Sequence, residues 1–317
     1  MDAVLISPKQ WIDRSDDVHR QANLLQDWDQ TYSQLGSGRF AGSVLTFQYA
    51  GLKIFRETMN RSVFQSGGLP SYRLAFGLPL QGRGSSCICG EEGSPNSVLV
   101  FSGGSGFEFF SPDLFEFVGI EVDTLASDDS VLLAMMHDLR RTLSGGRRAI
   151  AIVPGKASKL QWLLDGILSE EELGDRLGYT SGHAEAFSRS MIGQFLDILQ
   201  DADCDRQGTV RRHWEAVAAI RLLVTDSDTC PLSVAELTRI MGLSRRTLQN
   251  ACQSILGMSP IRFLRALRLS EARKTLQRAG SVTQVATQFG FWHLGYFSRD
   301  YHAMFGELPS QTVQHRG

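Results

Sequence analysis

Hydrophobic positions change period along this chain. Between residues 30 and 125 they come in short β-branched and aromatic runs: Ser43 to Tyr49, Leu52 to Phe55, Arg73 to Phe76, Val98 to Phe101, Phe107 to Phe110 and Phe115 to Val122. Turn-forming clusters separate the runs, among them Gly67-Gly68, Gly82-Arg83-Gly84, Ser94-Pro95-Asn96, Gly103 to Gly106 and Ser111-Pro112-Asp113. Short strands at this spacing predict a sandwich or barrel rather than βαβ units. From residue 128 the period becomes helical, with Val131, Leu132, Met135, Met136, Leu139 and Leu143, then Leu160, Leu163, Leu164, Ile167 and Leu168. A third helix is predicted from Gly182 to Gln200, with Phe187, Met191, Phe195, Ile198 and Leu199 on one face. That stripe fits a dimer seam or a face docked on the chain's own β-domain, and spacing does not choose between them. The polar, acidic stretch Asp201 to Gly208 reads as a linker over 201–209, and everything from 210 onward reads as helix. The expected organisation is therefore multidomain α+β. A domain over 1–200 is β-rich at 30–125 and helical at 128–200, and a second, all-α domain covers 210–317.

Composition changes this picture in one respect. The 317 residues are 42% hydrophobic and 21% charged, which excludes a mainly disordered or collagen-like chain. No apolar run approaches the roughly 20 residues needed to span a bilayer, and the first nine residues lack a signal-peptide pattern. Five scattered cysteines suit a reducing compartment, so a cytoplasmic protein is expected. The net charge of −2, however, hides a division. Residues 1–209 carry 18 basic and 27 acidic residues, while 210–317 carry 14 basic and 7 acidic, and 13 of those 14 are arginine. A basic, arginine-rich half points to a polyanionic partner, because the guanidinium fork fits phosphate and guanine.

The basic half repeats itself. Leu237-Thr238-Arg239-Ile240-Met241-Gly242-Leu243 returns as Val285-Ala286-Thr287-Gln288-Phe289-Gly290-Phe291, 48 residues on. Leu256-Gly257-Met258-Ser259-Pro260 returns as Phe305-Gly306-Glu307-Leu308-Pro309, 49 residues on. Each copy has the mechanics of a helix-turn-helix. A small residue (Thr238 or Ala286) lets two helices cross closely, and a glycine four positions later makes the sharp left-handed turn. Leu243 or Phe291 then plugs the gap between them. Ser244 is a good N-cap for the second helix of the first copy. A longer helix joins the copies, capped by Ser259 with Pro260 at its first position.

On these residues the stretch from Val210 to Gln314 resembles the DNA-binding domain of the AraC/XylS family of bacterial transcription regulators, which has two helix-turn-helix units joined by a long helix. The resemblance covers about a third of the chain. Its most specific part is Ser281 to Ala286, Gly290-Phe291, Phe297-Ser298-Arg299 and Phe305 to Pro309. It implies a regulator that binds double-stranded promoter DNA, with activation rather than repression as the expected direction. RNA polymerase and a second copy of the chain are implied partners, and a small-molecule effector is a further option. No cofactor, metal or membrane is implied. Two recognition helices on a rigid linker can enter successive major grooves, about 34 Å apart. The resemblance puts base readout on Arg245, Arg246, Gln249 and Asn250 of the first unit, with Ser244 at the helix start. In the second unit Gly295 stands where the first has Arg246, so weaker readout is expected there. Arg299 and His293 are the best candidates, and Trp292 is read as packing. Arg262, Arg265, Arg268 and Arg273 on the joining helix are candidate phosphate contacts, some of them covering apolar surface with their stems instead.

Cys87-Ile88-Cys89 reads as two thiols in a loop, and the rival reading is a thiol-based DNA-repair enzyme with an attached DNA-binding domain. Its acidic neighbours Glu91 and Glu92 argue against an activated thiolate. A third reading is a partner-binding regulator with weak DNA contact. In the family the N-terminal part is often a cupin-like barrel that binds an effector and dimerises. Metal-dependent cupin enzymes use closely spaced histidines, yet none occurs here between His19 and His137. The aromatic residues of the β-rich span suit a filled core or a pocket, and Arg56, Arg61 and Arg73 are candidate partners for an anionic effector.

Overall fold

The structure is a computed structural model that describes residues 7–101, 106–143, 146–169, 180–199, 208–225, 233–278 and 280–314. Its strands are β1 (Lys9–Ser15), β2 (Asp29–Gln34), β3 (Gly42–Tyr49), β4 (Leu52–Met59), β5 (Val63–Gly68), β6 (Arg73–Gln81), β7 (Ser86–Ile88), β8 (Glu91–Gly93), β9 (Ser97–Val100), β10 (Phe107–Ser111), β11 (Phe115–Asp123) and β12 (Ala149–Ala151). They form two antiparallel sheets, in the orders β1-β3-β4-β11-β6-β9-β12 and β2-β5-β10-β7-β8. The two sheets are separate and are not closed on one another into a barrel.

Side-chain alternation explains how the layers stack. Successive residues of a strand face opposite sides. In the smaller sheet Val63, Ile88 and Phe109 point inward to meet Phe55, Leu99 and Phe117 of the larger one. Their neighbours Phe64, Cys87 and Phe110 point the other way and join the C-terminal helices. The space between the sheets is a filled aromatic core in which Phe101 packs edge-on against Phe107, Phe109 and Phe117. On the far face of the larger sheet lie α2 (Ser130–Leu143), α3 (Pro154–Ser169) and α4 (Ser181–Leu199), the short α1 (Val18–Gln21) having followed β1.

Three local expectations are corrected, and one open choice gains an intrachain answer. Gly67-Gly68 is not a turn but the end of β5. A Cβ on Gly67 would run into the backbone of Asp29 and into Gln30, so the glycine serves close strand approach. Cys87 lies in strand β7, not a loop. Strand β12 interrupts the stretch read as helical. The stripe on α4 docks within its own protomer. Phe195 packs against Phe76, Phe187 against Phe47 and Tyr49, and Met191 and Leu199 are buried in the same cluster. Those four side chains are occupied, so the intrachain alternative describes them.

The stretch read as a linker, 201–209, lies outside the described residues up to 207. Beyond it come α5 (Gly208–Thr225), α6 (Val234–Met241), α7 (Arg245–Leu256), α8 (Pro260–Arg278), α9 (Val282–Gln288), α10 (Leu294–Phe305) and α11 (Pro309–Gln314). Among the described residues this half is all helical, and none of its helices is long and apolar enough to cross a membrane. It packs directly on the smaller sheet: Trp214 of α5 stacks on Phe64 at 5.3 Å, and Phe263 of α8 approaches the same ring.

Candidate nucleic-acid interface

The first unit is α6 and α7. Ser233 and Glu236 form a reciprocal cap at the start of α6, and Gly242 takes the left-handed turn with φ +64°. Ser244 accepts a bond from the backbone N–H of Thr247 at 3.1 Å, which starts α7. Leu248, Ala251, Cys252, Ile255 and Leu256 bury the inner face of α7, and burial pushes the Cys252 thiol up to about 12. The periodicity leaves Arg245, Arg246, Gln249 and Asn250 on the outer face. All four are exposed, and none has a side-chain hydrogen-bond or ion-pair partner among the described residues.

The joining helix α8 begins at Pro260, with Ser259 accepting from the Arg262 N–H at 3.4 Å. Its arginines divide between buried structural positions and exposed ones. Arg268 is buried, donates to the Phe289 carbonyl at 2.7 Å and lies 4.5 Å over the Phe291 ring. Arg273 is buried between Asp17 and Glu307, 2.7 Å from each, and lies over Phe305. Arg265 pairs with Asp300 of α10. Arg268 and Arg273 are buried and hold the second unit in place rather than reach phosphate, because their charges are already met by carboxylates, a carbonyl or rings, while Arg265 is half exposed. Arg262 remains exposed and available.

The second unit is α9 and α10, with the same capping pattern at Ser281 and Gln284 and a left-handed Gly290 at φ +72°. Its tip differs. His293 occupies the N-cap position without a side-chain cap bond. Its ring sits edge-on to Tyr296, and Arg299 lies 4.8 Å over that ring and 3.7 Å from Asp300. Trp292 is 68% exposed, which corrects its reading as a packing residue.

The far end of α10 meets the N-terminal half. The Gly38 N–H points at the carbonyls of Ala303 and Met304, 3.0 Å from each, and Gln34 Nε2 donates to Met304 at 2.8 Å. Carbonyls that a helix end leaves open are thus satisfied from the other domain. Asp17 adds the buried pair with Arg273 and accepts from Gln277 at 2.6 Å. Burial alone would raise the Asp17 carboxyl, but the Arg273 guanidinium, His19 and the Arg20 N–H together outweigh it and hold it below the usual carboxylate range. Sequence reading missed Asp17, Gln34 and Gly38. Only the capping potential of Asp17 was visible, and it also caps α1.

The remaining candidates are otherwise engaged. Arg56 pairs with Glu116 and Asp165, and Arg73 with Asp27, Glu121 and Asp123. Arg61 is bonded to the Arg39 carbonyl at 3.3 Å. Burial raises the thiols of Cys87 and Cys89 above their ordinary values, the reverse of what a transfer nucleophile needs.

Comparison with known proteins bears on the same region. A family model described as a helix-turn-helix domain matches residues 237–315. The chain is 41% identical over 88 residues to the "probable thc operon regulatory protein" of Rhodococcus erythropolis, covering 26% of either chain. It is 34% identical over 134 residues to the "XylDLEGF operon transcriptional activator 2" of Pseudomonas putida, covering 41% of this chain and 84% of that one. Among solved structures, a "probable AraC family transcriptional regulator" from Rhodopseudomonas palustris is 35% identical across 97% of its length and 32% of this chain, with a TM-score of 0.29. The match spans about a quarter of the length of the first of these curated relatives.

Proposed function

The chain belongs to the AraC/XylS family of transcription regulators, and from that premise we propose that it binds promoter DNA sequence-specifically through two successive major grooves. One observation carries this reading. In a domain whose joining-helix arginines are largely tied down, Arg245, Arg246, Gln249 and Asn250 stand exposed on one helix, with no side-chain partner among the described residues. Arginine forks to guanine, and glutamine or asparagine to adenine. In this reading Ser244 and Arg262 contact phosphate, and His293 and Arg299 contact the second half-site.

The wider reading rests on kinship. A relative carrying the word activator in its name supports activation, with RNA polymerase as the partner that activation requires. The N-terminal two-sheet unit, residues 1–200, is read as a cupin-like domain for dimerisation and effector response, acting in the cytoplasm. Residues 201–209 are read as the linker and 210–317 as the DNA-binding domain. A dimer seam would lie on a face other than that of Phe187, Met191, Phe195 and Leu199.

The test is selection of binding sequences from random duplexes with the full chain, followed by titration against a scrambled duplex. The selected site should bind on the order of 10³-fold more tightly, with affinity falling steeply as salt rises. Equal affinity for every duplex would overturn the reading.

A further inference from the structure

The two recognition helices have the same length but different entrances. Helices α7 and α10 are both 12 residues long and end at left-handed glycines, Gly257 and Gly306, 49 residues apart. The turn glycines Gly242 and Gly290 are only 48 apart. The second turn therefore holds one extra residue between its glycine and its helix. Aligned from the helix start, Leu294 stands where the first unit has Arg245, Gly295 where it has Arg246, and Tyr296 where it has Thr247.

The result is an apolar tip in water. Trp292 is 68% exposed, Tyr296 59% and Leu294 41%. Arg299 over one side of the Tyr296 ring and His293 at its edge fix the tyrosine in place. A Cβ on Gly295 would meet nothing within 4 Å, so the first turn of the helix is bare enough for close approach. Exposed apolar side chains grouped at one helix tip mark an interaction surface. By the repeat, this tip is the second unit's counterpart of the exposed row on α7, and Arg299, 68% exposed at the side chain although 3.7 Å from Asp300, puts a cation beside it, which suits a polyanion rather than a second protein. The apolar feature that a base edge offers in the major groove is the C5-methyl of thymine.

We infer that the second unit reads thymine methyl groups through Trp292, Leu294 and Tyr296, so that the two units recognise different chemistry on the same duplex. This rests on the reading that the domain binds DNA, and the experiment separates the two. With the full chain and its selected duplex, each thymine of the second half-site is replaced singly by deoxyuridine, which removes only the methyl. Affinity should fall about fourfold at one or two positions, as expected for one buried methyl-sized group. Trp292→Ala and Tyr296→Ala should weaken binding and bind the thymine and uracil duplexes alike. Arg246→Ala should keep the thymine preference. Indifference of the wild-type chain to every replacement, while it still prefers the selected site to a scrambled one, overturns the inference. Loss of that preference itself would instead overturn the DNA-binding reading.

Discussion

The first and second helix-turn-helix units share a skeleton and differ in their tips and in what fastens them. In the first, α7 is capped by its own Ser244 and carries a polar tip with no side-chain partner among the described residues. In the second, α10 has an apolar tip, and its last carbonyls are bonded to Gly38 and Gln34 of the other domain. Arg265, Arg268 and Arg273 all fasten the second unit, through Asp300, the Phe289 carbonyl and Glu307 respectively. Duplication supplied two equal frames. The copies then differ: the first keeps a polar, exposed helix start, while the second carries an apolar one and seats the N-terminal domain at its far end.

The largest expected effect comes from breaking that seat. Arg273→Ala leaves Asp17 and Glu307 without their shared cation, Asp17 being buried, and should lower stability by about 3 kcal/mol in denaturant unfolding. The loss should show as faster hydrogen exchange in α10 and α11, with α6 and α7 little changed. Uniform acceleration through both units would mean that they are held alike.

Next comes the free tip. Arg246→Ala should cost about 1–3 kcal/mol on the selected site and relax preference at one base pair, with non-specific binding nearly unchanged. Arg299→Ala, already stacked on Tyr296 and near Asp300, should cost less in the same competition assay. A reversed order would erase the asymmetry.

An intermediate effect is expected from acid. His19 lies beside Asp17 of its own turn and near Ser270, Arg273 and Lys274 of α8. Burial, with the two cations, pushes it down to about 4 against the pull of Asp17. Its folded value lies below its unfolded one, so the unfolded chain takes up the proton first. The stability it contributes is complete above pH ~6.5 and is lost as pH falls toward 4. Thermal unfolding between pH 7 and 5 should record that decline, and His19→Asn should flatten it. Arg262→Ala is expected to do least, lowering the slope of log affinity against log salt by about one while sparing sequence preference.

The sequence shows the repeat well because its determinants are local. A left-handed glycine, a Ser cap and an apolar plug act within a few residues, and Gly242, Gly290, Ser244 and Ser259 all do what their types require. What covers a strand's second face is not local. Period-two alternation marks Phe64, Cys87 and Phe110 as one side of a sheet, yet only the tertiary structure puts C-terminal helices against them. The arginines of α8 fail for a related reason. Position on a helix says that Arg268 and Arg273 share a face with other polar groups, but their partners lie 21 and 256 residues away. Trp292 misleads in the opposite sense, since an aromatic ring in a turn is ordinarily packed and this one occupies the extra position.

The most direct measurement is a base-by-base preference profile of the full chain, obtained by selection and quantitative sequencing. Two blocks of preference are expected, centred about one helical turn, or roughly 10 base pairs, apart. One block should favour guanine and adenine, and the other thymine. A single block, or two blocks of the same character, would contradict a duplicated domain whose copies read different features of the groove.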